Sequence, residues 1–249
     1  KDAIAKCGII VKKFTAYAKK HGAEEVFAYA TCATREAENR EELLAAIQTD
    51  GLEVRVIPGD EEARLIRLGV LGENGPREKT LLIDIGGGST EFSISIGNEV
   101  LFLDSLPLGA VRFAYGFPFD CKGPLGQEGY SSYQREVELC AYRTMRRIKE
   151  IGFDRVIGSS GTFVTLSEMC SPRGKKDTLS LECLTPMMES LKNMSIDERS
   201  SVPRLSENRT DIIVAGGAIA EELMKGLGID TIEISHFGLK EGMMVDYRV

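Results

Sequence analysis

Apolar residues recur along this chain with two periods, one of three to four residues and one of two residues. Segments with each period follow one another along the whole chain. Residues 1–21 and 130–152 repeat apolar side chains every three to four positions, which is typical of amphipathic helices. The runs LLIDI at residues 81–85 and EFSISI at residues 91–96 are apolar or alternate at every second residue, which predicts strands. Because helices and strands are mixed throughout, the pattern favours an α/β fold.

The same two periods predict the order of the elements. The predicted strands cover residues 24–31, 51–59, 80–86, 89–100, 100–110, 153–162 and 229–238. The predicted helices cover residues 1–21, 32–49, 60–72, 130–152, 239–247 and a part of 195–228. Three consecutive strands joined by short turns between residues 80 and 110 indicate an antiparallel meander.

A change of composition divides the chain into two predicted lobes. The segment ENGPREK at residues 73–79 is polar and contains a Gly-Pro pair, which is typical of a linker. We therefore predict a first lobe over residues 1–75, a second lobe over residues 76–238, and a closing helix over residues 239–249 that packs on the first lobe.

The strand at residues 80–86 ends in an unusual polar turn. It carries Asp84 and then, in succession, Gly86, Gly87, Gly88, Ser89 and Thr90. Glycine tolerates positive φ, and successive backbone N–H groups without side chains form a concave anion site. Hydroxyl donors complete a site for phosphate, and the carboxylate suits a hard cation such as Mg²⁺. The alternative is an ordinary hairpin turn, and this segment by itself leaves both open.

Two further small-residue turns favour the phosphate interpretation. VIGSSGT at residues 156–162 again ends a predicted strand in glycines and hydroxyls, and IIVAGGAIA at residues 212–220 places a glycine pair at an apolar helix start. The first turn is not a Walker A loop, because no Lys-Ser or Lys-Thr pair follows its glycines. Together the three turns suggest several backbone segments that converge on one anion.

Composition and charge argue against several classes of protein. The chain of 249 residues is 43% apolar and 28% charged, as in ordinary globular proteins. Its net charge of −7 and pI of about 5.1 argue against a DNA partner. The apolar runs are shorter than a bilayer span and no signal peptide is evident, so we expect no membrane partner and a cytoplasmic location.

The cysteines and histidines form neither a zinc pattern nor a disulfide framework. The six cysteines lie far apart without a C-x-x-C pair, and the chain has only two histidines. We therefore expect reduced thiols. We interpret His236, at the end of a predicted strand, as a structural residue.

Taken in order, the motifs of this chain resemble those of one enzyme family. They are ATCATREAENREELL, GLEVRVIPGDEEARLIRLGVLG, LLIDIGGGSTEFSI, LPLGAVR, VIGSSGT, RTDIIVAGGAIAEELM and ISHFGLKEGMM. This series resembles the exopolyphosphatase and guanosine pentaphosphate phosphatase family, within the actin, hexokinase and Hsp70 superfamily. The resemblance implies a two-lobed, actin-like (ribonuclease H-like) α/β fold, with mixed sheets flanked by helices and a phosphate-binding cleft between the lobes.

The resemblance fails at the front of the chain. The family opens with a strand and turn of the D-x-G-S-N-S type, and no segment here matches that motif. The chain also begins inside a predicted helix without an initiating Met. We therefore expect further residues before Lys1; otherwise the protein lacks half of its phosphate-binding apparatus.

The family match implies functions for three acidic residues. Glu62 lies directly before Ala-Arg in PGDEEARL, where a carboxylate can orient and deprotonate a water for attack on a terminal phosphoryl group. Its neighbours Asp60 and Glu61 are interpreted as acids that stabilise a helix N-terminus, which is the alternative for Glu62 as well. Asp84 and Glu91, on facing arms of the predicted hairpin, are implied to bind Mg²⁺, or Mn²⁺ in its place. The alternative for Glu91 is an exposed strand position.

Other residues are assigned to phosphate binding by the same match. The turn from Gly86 to Thr90 is the expected cradle. Arg35 is counted with Glu62 as catalytic, since its guanidinium can grip phosphate oxygens in pairs, although a solvated helix arginine is the alternative. The remaining candidates are Thr31, Arg209, and a second, weaker turn of Gly158, Ser160, Gly161 and Thr162.

Together these features predict a Mg²⁺-dependent phosphohydrolase that removes terminal phosphate from inorganic polyphosphate, from guanosine pentaphosphate (pppGpp), or from both. One alternative is a sensor that binds these compounds without hydrolysis, and the retained Glu62, Asp84 and Glu91 argue against it. Another is a nucleotide-dependent chaperone or filament protein of the same superfamily, for which the EEARLIRLGV motif is not typical. The sequence leaves a homodimer open.

Overall fold

Helices and strands are mixed along the chain in the computed structural model, which describes residues 2–48, 52–171 and 177–247. The strands are β1 (Phe27–Ala30), β2 (Glu53–Val56), β3 (Thr80–Ile85), β4 (Thr90–Ile96), β5 (Glu99–Leu106), β6 (Arg155–Ser159), β7 (Thr178–Ser180) and β8 (Thr231–Ile234). The helices are α1 (Asp2–Lys20), α2 (Cys32–Arg35), α3 (Arg40–Ile47), α4 (Gly59–Leu71), α5 (Ala110–Gly116), α6 (Gly126–Ile151), α7 (Ser160–Cys170), α8 (Leu181–Leu191), α9 (Ile196–Ser200), α10 (Ile213–Leu227) and α11 (Leu239–Asp246). None of the helices in the described ranges has the length and apolar character that a membrane span requires.

The chain divides into two compact units, Lys1–Glu61 and Glu62–Val249. The predicted lobes differ from these units in the position of α4, which we assigned to the first lobe. In the structure α4 packs Ile66 into a small apolar cluster with residues of β3 and β6, which belong to the second unit. The predicted closing helix corresponds to α11, and residues 248–249 lie outside the described part of the chain.

The first unit contains a parallel pair of strands. β1 and β2 pair in register from Phe27 with Glu53 to Ala30 with Val56. Both strands were predicted from the alternation of apolar and polar residues, and their presence is confirmed. Gly51, which the second prediction included, lies outside the described residues.

The prediction of one continuous helix over residues 32–49 is wrong, since the structure has α2 and α3 in its place. The polar segment EAEN at residues 36–39 separates the two helices. Glu41 and Glu42 then lie in the first turn of α3, where acidic side chains stabilise a new helix N-terminus. Thr49 lies outside the described residues.

The second unit contains a mixed sheet with the strand order β5-β4-β3-β6-β8-β7. β3, β4 and β5 are antiparallel neighbours, which confirms the predicted meander. β6 and β8 extend the sheet in parallel from β3, and β7 pairs antiparallel with β8. The predicted mixed sheet flanked by helices is therefore present.

Successive side chains of β3 point to opposite faces of this sheet, and the two faces have different surroundings. On one face, Leu81 and Ile83 enter a large apolar core together with residues of α6, α7, α8 and α10. On the other face, Leu82 packs against Ile66 of α4. Because side chains two residues apart point to the same face, Asp84 lies on the face that α4 covers.

Sequence patterns missed the helices that follow the small-residue turns. Residues 163–194 received no prediction, yet they contain most of α7 together with β7 and α8. The predicted strand over residues 153–162 ends at Ser159, whose extended backbone leads directly into α7. Gly109 has the same extended backbone before α5, which was also missed.

A disulfide joins Cys170, at the end of α7, to Cys183, in the first turn of α8. We expected reduced thiols throughout, so this pair corrects the prediction. The two cysteines are 13 residues apart, and only the folding of α7 and α8 onto one another brings their Cα atoms to 5.9 Å. The cysteines outside this disulfide are Cys7, Cys32, Cys121 and Cys140.

Candidate active site

Four polar residues form a row across the sheet of the second unit. Ser105 of β5 pairs with Glu91 of β4, and Glu91 pairs with Asp84 of β3. Asp84 pairs in turn with Ser159 of β6. Residues directly opposite one another on neighbouring strands project to the same face, with Cβ atoms about 5 Å apart. The predicted placement of Asp84 and Glu91 on facing arms of a hairpin is confirmed, and each carboxyl group has a serine on its far side.

Asp84 is almost fully buried, with 7% of its surface exposed. Its Oδ2 accepts a short hydrogen bond from the Ser159 hydroxyl. Burial raises the pKa of Asp84 to about 6; the Ser159 hydrogen bond opposes this rise, and the nearby charge of Glu62 adds to it. A positive charge at this position would stabilise the ionised carboxylate.

Glu91 is buried even more deeply, with 3% of its surface exposed. The Ser105 hydroxyl donates to its Oε1 at 2.8 Å, and the Ser89 side chain also hydrogen-bonds to it. Burial, and then the charge of Glu62, raise the pKa of Glu91 to about 8, and Asp84 contributes to the rise. The two serine hydrogen bonds lower the pKa without cancelling these effects.

Glu62 reaches this row from α4. It lies one helical turn before Ile66, whose side chain packs on Leu82 of β3, so both residues occupy the helix face that covers the sheet. Only 7% of the Glu62 surface is exposed, and its charge acts on both Asp84 and Glu91. Three acidic side chains from three different elements therefore share one buried region.

Two contacts hold α4 in place. The buried Arg67 donates from Nη2 to the carbonyl of Gly97, which ties the helix to the turn between β4 and β5. On another side, α4 and α11 approach so closely that a Cβ built at Gly69 would lie 2.5 Å from the backbone nitrogen of Gly242. Both contacts restrict the movement of the helix that carries Glu62.

The first turn of α5 fixes the carbonyl groups of the glycine turn. The hydrogen bonds run from Ala110 N to Gly86 O (3.0 Å), from Val111 N to Gly87 O (2.9 Å) and from Arg112 Nε to Gly88 O (2.7 Å). With the carbonyls directed toward α5, the N–H groups of Gly87 and Gly88 have no acceptor among the described residues. These two N–H groups are therefore available to an anion.

The expectation that the glycines of this turn adopt positive φ is wrong, since Gly86, Gly87 and Gly88 all lie outside that region. The close approach of two backbone segments explains the glycines instead. A Cβ built at Gly109 would overlap the Gly87 carbonyl oxygen and would lie 2.5 Å from the carbonyl carbon of Gly88. The turn thus depends on the absence of a side chain at Gly109.

The two hydroxyl groups of the turn have different partners. Ser89 is buried and hydrogen-bonds to Glu91, so its hydroxyl lies beside the acidic row. Thr90 is also buried, and its hydroxyl donates to the carbonyl of Leu108 at 2.6 Å. Both hydroxyl groups therefore have partners inside the protein, and phosphate binding by both residues stays a prediction.

The second small-residue turn begins at the end of β6. Gly158 lies in β6, paired with Ile83 of β3. Ser160 has a φ of 77°, in the left-handed region that non-glycine residues rarely adopt. Its hydroxyl donates to the carbonyl of Ile85 at 2.5 Å, which fastens the turn to the end of β3, next to the glycine turn.

Arg209 lies against this second turn. Its Nη1 is 3.0 Å from the position that a Cβ would take at Gly161. Thr162 follows in the first turn of α7, and its Cγ2 is 2.7 Å from the position of a Cβ at Gly216 in α10. The structure therefore brings Arg209, the second turn and the glycine pair of α10 together, although these segments are far apart in sequence.

Thr31 and Arg35 belong to the first compact unit. Thr31 precedes α2, and Arg35 ends it. The Nη1 of Arg35 donates to the carbonyl of Ile57 at 2.8 Å, so one of its N–H groups serves the fold of this unit. The assignment of both residues to a phosphate site stays a prediction.

The acidic row fits a divalent cation without forming a complete metal site by itself. In the part of the chain that the structure describes, no group of three or more His, Cys, Asp or Glu side chains has an arrangement suited to a metal ion. Mg²⁺, however, is commonly held by one or two carboxylates, with waters and substrate phosphate oxygens as its other ligands. Asp84 and Glu91, paired on neighbouring strands with raised pKa values, supply such carboxylates.

The raised pKa of Glu91 predicts how the metal-free protein responds to pH. Between the ordinary value of 4.5 and about 8, the folded chain keeps a proton on Glu91 that the unfolded chain loses. Folding stability must therefore fall as pH rises through this window. We expect the urea midpoint in EDTA to fall between about pH 5 and pH 8 in the parent, and to fall less in Glu91→Gln. An equal fall of the urea midpoint in both proteins would contradict the raised pKa of Glu91.

The sequence patterns did not identify the residues that support the acidic row and the glycine turn. Ser105 and Ser159 bond the two carboxyl groups of the row, and Gly109 and Arg112 shape the glycine turn. Gly109 and Arg112 lie in LPLGAVR, a motif that we used only for the family resemblance. The predicted meander could have suggested Ser105, because a residue of β5 must lie opposite Glu91.

In this α/β fold, buried carboxyl groups lie beside exposed peptide N–H groups on a mixed β-sheet. This combination defines a protein that acts on phosphate groups. The chain belongs to the Ppx/GppA phosphatase family, whose model matches residues 1–248. The family inferred from the sequence motifs is thereby confirmed, and membership makes the chain a hydrolase.

Three similar proteins show how far the similarity extends. The chain is 31% identical over 245 residues to exopolyphosphatase 1 of Mycobacterium bovis, which covers 94% of this chain and 70% of that protein. It superimposes on the crystal structure of an exopolyphosphatase from Cytophaga hutchinsonii with a TM-score of 0.86 at 28% identity, over 99% of this chain and 83% of that one. A Ppx/GppA family member from Aquifex aeolicus gives a TM-score of 0.79 at 25% identity, over 100% of this chain and 82% of that one. The predicted fold class is confirmed.

Proposed function

We propose that this phosphatase is a Mg²⁺-dependent enzyme that releases terminal phosphate from inorganic polyphosphate, from pppGpp, or from both. The observation that carries the proposal is the meeting of Glu62, Asp84 and Glu91 in one buried region. Relatives named exopolyphosphatase support polyphosphate as the substrate class. The net charge of −7 argues against DNA as a partner, whereas the binding of a compact anion depends on the local charge of its site.

Each acidic residue has a distinct role in this proposal. Glu62 orients a water and accepts its proton as the oxygen attacks the terminal phosphorus. The bond from that phosphorus to the bridging oxygen breaks, and the rest of the substrate leaves with that oxygen. Glu62 comes from a helix and is not part of the strand row, which leaves the paired Asp84 and Glu91 to hold Mg²⁺. When bound, the ion neutralises charge on the phosphate oxygens. The N–H groups of Gly87 and Gly88 bind the terminal phosphate.

Positive side chains complete the proposed phosphate site. Arg209 lies against Gly161 in the second turn, so its guanidinium can bind an oxygen of a phosphate that lies between the two turns. Arg35 and Thr31 are proposed to bind phosphate on the strength of the family match alone.

Phosphate release from polyphosphate and from pppGpp, measured with Mg²⁺ and with excess EDTA, tests the proposal. We expect hydrolysis of at least one substrate with Mg²⁺ and none in EDTA. Asp84→Asn removes one anionic ligand, so the Mg²⁺ concentration for half-maximal activity should rise. Loss of a residue that only supports a metal ligand typically costs about tenfold or more in metal affinity, so we expect a rise of at least about tenfold for a ligand itself. Full activity in excess EDTA would remove Asp84 and Glu91 from a metal site.

The same assays separate an enzyme from a sensor. A sensor would bind polyphosphate or pppGpp in calorimetry with Mg²⁺ present, yet release no phosphate from either. The proposed enzyme must release phosphate from the substrate that it binds. Binding without release, in protein that is folded by its melting curve, would therefore favour the sensor.

A further inference from the structure

We propose that Ser105 and Ser159 are positioning residues that fix Glu91 and Asp84 in the orientation in which these carboxylates bind a cation. The inference rests on the proposed function of the acidic row. It concerns residues that do not touch the substrate and that act only through the two carboxyl groups.

The two serines lie at opposite ends of the row. Ser105 is opposite Glu91 on β5, and its hydroxyl donates to Oε1 at 2.8 Å. Ser159 is opposite Asp84 on β6, and its hydroxyl donates to Oδ2. Each hydrogen bond holds one oxygen of a carboxylate, which restricts rotation of the group and fixes the direction of its other oxygen.

The backbone on which each serine lies is itself anchored. Asp104 accepts hydrogen bonds from the Ser105 N–H at 2.9 Å and from the Thr144 hydroxyl of α6 at 2.5 Å. On the other side, Ser160 is bonded to the Ile85 carbonyl at 2.5 Å. The two hydroxyl donors are therefore held by strands and helices of the core, and not by a flexible loop.

The charges of the site explain why such support matters. Asp84 and Glu91 are buried side by side, and the charge of Glu62 acts on both of them. Both carboxyl groups must be ionised to bind a cation, and like charges in a buried region then repel one another, which favours side-chain orientations that separate the oxygens. The serine hydrogen bonds oppose this separation, so less reorganisation accompanies binding.

Calorimetric titration of Mg²⁺ into the metal-free protein tests the inference without any measurement of turnover. We expect the dissociation constant for Mg²⁺ to rise by about 10–100-fold in Ser105→Ala and in Ser159→Ala, as is typical when the partner of a metal ligand is removed. Ser105→Thr retains a hydroxyl at the same position and should bind Mg²⁺ as the parent does. A residue that serves only the fold would change the melting temperature and leave the dissociation constant of the folded protein unchanged.

Ser93 provides a matched control. It lies two residues after Glu91 on the same face of β4, and 1% of its surface is exposed. Its Oγ has no hydrogen-bond partner among the described residues. Ser93→Ala therefore removes a buried hydroxyl from the same sheet without removing a hydrogen bond, and we expect parental Mg²⁺ binding.

The possible results separate this inference from the proposed function. Parental Mg²⁺ binding by folded Ser105→Ala and Ser159→Ala would overturn the inference and leave the proposed function intact. If the fully buried Ser159 does not tolerate Ala, Ser159→Cys fills the space with a much weaker donor and is titrated instead. A parent protein that neither binds Mg²⁺ nor hydrolyses either substrate would overturn both.

Discussion

Replacement of Glu62 by Gln is expected to lower kcat for phosphate release by about 10²–10⁴-fold, the usual contribution of a general base. Gln has nearly the same shape as Glu, so the packing of α4 on the sheet should persist. The charge of Glu62 raises the pKa of both Asp84 and Glu91, so its removal should lower both values and make the pair better cation ligands. We therefore expect Mg²⁺ binding at least as tight as in the parent, together with the loss of turnover.

Glu61→Gln is the matched control for this variant. Glu61 precedes Glu62 in α4 and is more exposed, and we interpret it as an acid that stabilises the helix N-terminus. The same chemical change at this neighbouring position should leave kcat near the parental value. Parental kcat in Glu62→Gln, in the presence of saturating Mg²⁺, would remove Glu62 from the mechanism.

The parts of the fold that were predicted correctly are those that short-range patterns determine. β3, β4 and β5 alternate clearly and are joined by short connections, so their antiparallel pairing follows from neighbouring residues. The helices α5 and α7 were missed because glycine, serine and threonine are typical both of turns and of helix starts. In the structure, the turn and the helix start are continuous at Ser159 and at Gly109.

The site shows a similar division between local and long-range information. The family resemblance picked out Glu62, Asp84 and Glu91 from their motifs, and the structure buries all three together. Ser159 could not be assigned in this way, because its role depends on the register between β3 and β6, and it lies 75 residues from Asp84 in the sequence. Ser105 lies on a strand next to β4 in the sequence, but the predicted meander does not give the register that places it opposite Glu91. A serine in a strand has no distinguishing pattern until its partner is known.

The glycines of the turn have a different physical reason from the one that the sequence suggested. We attributed its glycines to positive φ, which a sequence can suggest but cannot demonstrate. The structure shows instead that the turn lies against Gly109 at a distance that excludes a side chain there. The requirement at Gly109 comes from a segment about 20 residues away in the chain, which no local pattern contains.

Replacement of Gly109 by Ala is therefore expected to displace the glycine turn. The added Cβ would overlap the Gly87 carbonyl and lie 2.5 Å from the Gly88 carbonyl carbon, and backbone atoms cannot move aside as a flexible side chain can. Because a shift of about 1 Å at a binding group can cost about 10²-fold in rate, we expect kcat/KM to fall by about that factor. Overpacking of this kind should also lower stability by about 1–3 kcal/mol.

Gly116→Ala is the control that separates this effect from a general response of α5 to substitution. Gly116 is the last residue of the same helix, and a Cβ there would meet no atom within 4 Å. Since Ala favours helix over Gly, this variant should keep parental activity and melt at the parental temperature or slightly above it. Phosphate titration of both variants then tests the turn itself. If the turn were only a hairpin connection, folded Gly109→Ala would bind phosphate as tightly as Gly116→Ala, and Gly87 and Gly88 would have no part in the phosphate site.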